Sequence, residues 1–299
     1  MATTDDNYAR GLLLTAIGGL ALTADIPLIK LADGEPWSIL MLRGATTFVV
    51  AIAVWLVWRA VCDKAPQLIP GKSGLLVAAL YGATSLTFIT AVYNTSTANL
   101  VFILAFNTMF AALLSWMFLR QRPRPVTFAA MAAMILGIGI IVGDSIGSGT
   151  LFGDFMAGLS AFMVAAAITV TRATGRDMGF AALVAVIIPA AVAAVMVLHT
   201  GYDVAEPWWI IFNGAVVMPI SFFCLATGPK YISGPEVAMF YLLETVLAPI
   251  WVWLIFAERP TTQSLIGGAI LVAALVAHSL WQLLEGRRRK AARVIRHPV

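Results

Sequence analysis

NLVFILAFNTMFAALLSWMFLRQRP, residues 99–123, returns as EVAMFYLLETVLAPIWVWLIFAERP, residues 236–260, at an offset of 137 (236 less 99). No gap is needed to place Thr108 on Thr245, Ala111 on Ala248, Trp116 on Trp253, Arg122 on Arg259 and Pro123 on Pro260. Each copy opens with an apolar run of roughly 20 residues, enough to cross ~30 Å of hydrocarbon at ~1.5 Å per residue. A duplicated membrane span implies a chain made of two related halves, the usual construction of secondary transporters.

The rest of the chain agrees. Of 299 residues 61% are hydrophobic and 11% charged, with a mean hydropathy of +0.91, too little polar surface to coat a soluble globule. The opening MATTDDNYAR carries two acids and leads into an apolar run without a small-residue cleavage site, so no removable signal peptide is expected. Cys62 and Cys224 lack metal spacing and read as packing residues. A net charge of +4 does not point to nucleic acid, because the cations sit in short loops and a terminal run.

Apolar runs set against Gly, Pro and charge breaks predict ten spans, at 10–31, 37–58, 74–93, 98–119, 125–142, 152–172, 180–199, 207–229, 236–256 and 262–284. Sixteen of the 19 Lys and Arg fall on the side of the termini, two (Lys30 and Arg259) on the other, and Arg43 lies inside the second span. The positive-inside rule then places both termini in the cytoplasm of a plasma membrane, here a bacterial inner membrane. Five spans per half is an odd number, so the second half is inverted; a fainter echo pairs Gly11 with Gly153, Ala24 with Ala166 and Lys30 with Arg172. The expected architecture is all-α integral membrane, ten transmembrane helices as two inverted five-helix repeats. Residues 1–146 and 147–286 form the repeats, and 287–299 form a basic cytoplasmic tail that touches anionic lipid.

These residues resemble the drug/metabolite transporter superfamily, EamA type. The likeness rests on AALLSWMFLRQRP and LAPIWVWLIFAERP, and on the glycine-containing LGIGIIVG and IGGAILVAALVA that follow them. Within it the chain is similar to YddG-like exporters of aromatic and other neutral amino acids. The chain departs from the pattern at Thr108 and Thr245, where the family often has proline, and at Gln121, where Glu258 keeps the family's glutamate. The resemblance implies alternating access, with the third, fourth and ninth helices lining the cavity. It also suggests a cavity built mainly from the first, third, fourth, sixth, eighth and ninth helices.

Ionisable groups are expensive inside a bilayer, so Asp25, Arg43, Glu244 and His278 are the first candidates. Glu244 lies mid-span and its repeat partner is Asn107; the pair is expected near the axis, Glu244 to receive a substrate ammonium or a coupling proton, or to be held structurally. Asp25, Lys30 and Arg43 are gating or ion-pair candidates, with Arg43 either snorkelling to headgroups or pairing with Asp25. His278 reads as a packed, hydrogen-bonded group. Tyr81, Phe88, Phe102, Phe106, Phe240 and Tyr241 offer an apolar lining and Asn99 a polar partner, with helix packing the alternative for each. Ala129, Ala133, Gly137 and Ala269, Ala273, Ala277, with the GxxxG of Gly139 and Gly143, suggest close contact in the fifth and tenth spans.

The expected function is export of small organic solutes, neutral or aromatic amino acids first, with nucleosides or cationic drugs as the alternative within the superfamily. An integral-membrane enzyme is the rival class; His199, His278 and His297 are scattered, and no nucleophile–base cluster or metal spacing is visible. No cofactor, metal or nucleic acid is expected. The partners are a small-molecule substrate and membrane lipid, and the chain is expected as a monomer, a dimer being the alternative.

Overall fold

The computed structural model describes residues 2–61, 66–120, 122–176, 178–227, 231 and 234–296, without the side chains of 2–7, 226–227, 234–239 and 286–296. Cys62, Lys64, Gln121, Lys230, His297 and the side chains of the basic run 287–296 therefore lie outside the described residues. Among those described, nine helical stretches are long and apolar enough to cross a membrane: Tyr8–Leu31, Pro36–Val61, Gly71–Asn94, Thr97–Leu119, Pro125–Ser148, Leu151–Thr174, Gly179–Thr200, Pro207–Leu225 and Thr262–Glu285. The remaining apolar helix, Gly234–Phe256, is ninth in order and completes ten. The chain is an all-α, ten-helix membrane protein, and the only strand-like pairing among the described residues is one bridge between Gly34 and Val204.

Three boundaries differ most from the sequence reading: the first helix begins at Ala2, ahead of residue 10. The fifth helix continues to Ser148, past residue 142. The last runs Thr262–Arg296, 35 residues, so the basic run is a helical extension. Ala, Leu, Arg and Lys are strong helix formers, and no proline interrupts them there.

Packing partners reveal the duplication. The third span packs on the sixth, and the first on the eighth. The Asn107–Leu119 segment of the fourth packs on the sixth, and the ninth on the first. Second packs with seventh, fifth with tenth, and the Thr97–Ala105 segment of the fourth with the ninth. Exchanging each span for the one five places along the chain maps every pair onto another in this set or onto itself. Five passes per half make the two repeats inverted.

Several spans are broken, for identifiable reasons. Pro27 has no N–H for the Thr23 carbonyl and crowds it, and the first span divides there into Ala2–Leu22 and Asp25–Leu31. Pro189 does the same to Ala185, separating Gly179–Val184 from Ile187–Thr200. Upstream of Pro219 the eighth span loosens into a π-turn, Asn213–Val217. The fourth breaks at Phe106, between Thr97–Ala105 and Asn107–Leu119, without a proline; there the Thr108 hydroxyl donates to the Ala105 carbonyl at 3.2 Å.

The fifth and tenth spans do come into close contact, but of the small residues expected there only Gly137 makes the closest approach. The fifth and tenth helices meet at Gly137 and Gly267: a Cβ on either would stand 2.7 or 2.5 Å from the other's carbonyl oxygen. Met134, Ile141, Leu271 and Leu275 fill the seam around them. A Cβ on Gly139 or Gly143 would find nothing within 4 Å, and Ala129, Ala269, Ala273 and Ala277 are exposed. Helical period explains the miss: Gly137 and Gly139 lie about 200° apart around the axis at ~100° per residue, so they cannot share a face.

Ten passes put the free ends of the first and last helices on one face. On the opposite, distal face the connections are sewn together. Glu35 N–H donates to the Asp203 carbonyl (2.9 Å), Ala205 N–H to Asp33 (2.9 Å) and Glu206 N–H to Ala32 (3.0 Å). The Tyr93 hydroxyl donates to the Gly34 carbonyl at 2.8 Å.

Candidate functional site

The breaks in the first and eighth spans create the site, because each exposes a polar residue that a regular helix would place differently. Asp25 opens the second segment of the first span, and Asn213 opens the π-turn of the eighth. Arg43, from the second span, lies between them. Its Nη2 donates to both carboxylate oxygens of Asp25, at 2.9 and 2.8 Å, and its Nε to Asn213 Oδ1 at 3.1 Å. Asn213 closes the ring, donating from Nδ2 to Asp25 Oδ1 (2.8 Å) and to the Asp25 carbonyl (3.1 Å). All three are buried, at 3%, 6% and 0% exposure, so the charges are compensated by each other and not by water.

The surroundings fix the arginine further. Met218 Sδ lies 3.1 Å from Nη2, and the guanidinium sits over the Phe88 ring at 5.6 Å. Thr47 donates to the Gly214 carbonyl at 2.9 Å, which locks the π-turn to the second span. Gly214 permits this approach: a Cβ there would meet Thr46 Oγ1 at 2.1 Å and the Arg43 carbonyl at 2.6 Å.

Glu244, half-buried in the ninth span, is within electrostatic range of Asp25 and Arg43. Tyr241 is in turn within range of Glu244 and Tyr81, and at 43% exposure it stands outside the packed core. The Tyr81 ring meets Phe222 edge-on at 6.5 Å. The structure thus brings Asp25, Arg43, Glu244, Tyr81, Tyr241 and Phe88 into one region. Asn107 is half-buried at the start of the Asn107–Leu119 segment of the fourth span, and Phe240 lies against Gly19 of the first.

Other candidates point elsewhere. Phe102 fills the space over Gly268 of the tenth span, where a Cβ would stand 2.2 Å from its ring. Phe106 stacks edge-on with Phe110 at 5.0 Å, and Phe110 with Phe162 of the sixth span at 5.6 Å. Asn99 faces the fifth and tenth spans, donating to Ser145 at 3.1 Å and accepting from Ser264. His278 contacts Thr127 at 3.0 Å across the fifth–tenth seam, a packed and hydrogen-bonded position. Lys30 pairs at the distal face with Glu258, whose other oxygen accepts the Thr97 N–H at 2.7 Å.

Sequence reasoning missed Asn213, which carries no charge and so ranked below the ionisable residues; its place inside the apolar IIFNGAVV was the available signal. It also missed Asp154, 3% exposed, which accepts from Thr95 and Ser145 near the distal end of the sixth span. Asp154 stands in the first turn of its helix, where an acid is ordinary. Among the described residues, no group of three or more His, Cys, Asp or Glu could hold a metal.

The EamA-like transporter family model matches residues 9–143 and again 151–280. The chain belongs to the EamA-like transporter family. The two matched segments are the two repeats, and the family is one of membrane transporters. A crystal structure of a protein superposes with a TM-score of 0.65 over 92% of this chain and 98% of its own, at 16% identity, which supports the fold. No curated protein matches the chain.

Proposed function

We propose that this EamA-like transporter exports neutral, preferably bulky, amino acids by alternating access. The reading rests above all on the charge balance of the central cluster. Asp25 and Arg43 cancel in a closed pair, and the Glu244 carboxyl in the same region is left to meet a cationic group on a substrate. A single carboxylate amid tyrosine hydroxyls and aromatic rings suits an ammonium carried on a molecule with an apolar body. Asn107, the repeat partner of Glu244, stands at a helix break and supplies an amide for the substrate carboxylate. Sugar phosphates would call for paired, unneutralised cations, and Arg43 is already committed to Asp25.

In this proposal the termini are cytoplasmic, in a bacterial inner membrane, and the distal face is outside. The 16 to 2 distribution of basic residues supports that orientation. The sewn distal loops and the Lys30–Glu258 pair close the outer side, so the substrate is loaded from the cytoplasm. Proteoliposome counterflow with labelled amino acids, nucleosides and cationic drugs tests the reading. Neutral amino acids are expected to exchange and the others not to; selective exchange of cationic drugs would replace amino acid export with multidrug export.

A further inference from the structure

Apart from the central cluster, a cavity of about 700 Å³ opens on the distal face. Small-molecule sites fall roughly between 300 and 1,000 Å³. Ile26 and Ile29, at 1% and 0% exposure, lie in the helical segment that separates it from the cluster. Its lining combines both signs of charge with apolar walls: Lys30, Glu258 and Asp33 beside Val92, Tyr93 and Phe256. Lys30 and Glu258 pair with each other, yet their side chains remain 22% and 28% exposed. Such a partly solvated pair is weak and exchangeable.

We propose that this cavity is a second, outer binding site for a zwitterionic amino acid, whose carboxylate takes Lys30 and whose ammonium takes Glu258. The apolar side chain then rests on Val92 and Phe256. The proposal rests on the amino acid reading above and extends it to a separate site. Its mechanical consequence follows from the other bond of Glu258. The same carboxylate holds the Thr97 N–H at the start of the fourth span, so a ligand that draws Glu258 away loosens the ninth span from both the first and the fourth. Occupancy from outside therefore favours opening of the distal face, and with it exchange.

The test is protection of a Leu31→Cys probe, which lines the cavity, in a chain whose two native cysteines are replaced by alanine. A membrane-impermeant maleimide is applied to sealed vesicles from the distal side. External phenylalanine is expected to slow labelling several-fold, while its methyl ester and its N-acetyl derivative do not. Protection is expected to be lost in Lys30→Gln and in Glu258→Gln, and to persist in Glu244→Gln, where the central site is impaired. Because loss of the pair could unsettle the fold, the exchange Lys30→Glu with Glu258→Lys provides a second variant; it keeps both charges in the cavity and should keep protection. Undiminished protection in Lys30→Gln and Glu258→Gln, or its loss in Glu244→Gln alone, would overturn the proposal. Counterflow in the same vesicles separates the two readings. Counterflow without protection overturns the outer site only, whereas protection without counterflow upholds it and overturns amino acid export.

Discussion

The contacts of Arg43 make it a structural anchor, and in the proposed function the same contacts set the charge pattern of the site. Removing one member of a buried ion pair leaves the other charge unpaired in a dry interior, at a cost of about 3–5 kcal/mol, whereas replacing both by apolar groups is often nearly neutral. Arg43→Ala should therefore lower the thermal midpoint in detergent sharply. Asp25→Leu combined with Arg43→Met should recover only part of that loss, because the buried Asn213 is left without its side-chain partners, while transport stays absent because the charge pattern of the proposed site is gone. If the double variant transports at the wild-type rate, the pair is only a structural brace. Asp25 and Arg43 were visible in the sequence because charge inside an apolar run stands out. Their common partner was not, since an amide such as Asn213 becomes decisive only when a π-turn aims it.

At the scale of helices, close approach is governed by which face a glycine occupies, not by how many glycines there are. Gly137→Ile drives a branched side chain into the Gly267 backbone and should destabilise by about 1–3 kcal/mol or more, through overpacking. Gly139→Trp meets open space and should change the midpoint little, within about 0.5 kcal/mol apart from helix propensity. The reverse order in a thermal unfolding series would move the seam to the GxxxG face. Gly214→Ala provides a third case: the added methyl collides with Thr46 and the Arg43 carbonyl, pushing the eighth span off the second and Asn213 away from Arg43. It should reduce both stability and counterflow. The ten spans themselves were legible to within a few residues, because ~20 apolar residues between breakers leave little choice in a bilayer. Helix faces were less so. Counting small residues ignores the ~100° step between neighbours, and Phe102, Phe106 and Asn99 show the same difficulty, since a residue in a cavity-lining helix can still face its scaffold.

The whole molecule is a pair of inverted repeats, and that symmetry was the strongest signal in the sequence: one gapless repeat at an offset of 137 and an odd number of spans per half. Packing pairs that exchange under the repeat operation are its physical expression. Orientation can be checked directly. From outside, an impermeant thiol reagent should reach a cysteine at Gly147 and not one at Lys64, and the opposite pattern would invert the molecule. Glu244 and Asn107 occupy equivalent positions in the two repeats; in the proposed function they offer an acid from one half and an amide from the other, a combination suited to a zwitterion. Counterflow of labelled phenylalanine in vesicles, comparing the wild type with Glu244→Gln and Asn107→Ala, measures this most directly. The account predicts robust exchange in the wild type, with at least a tenfold loss of apparent affinity in each variant, about 1.4 kcal/mol or more per lost charged or amide contact; unchanged exchange in both variants would contradict it.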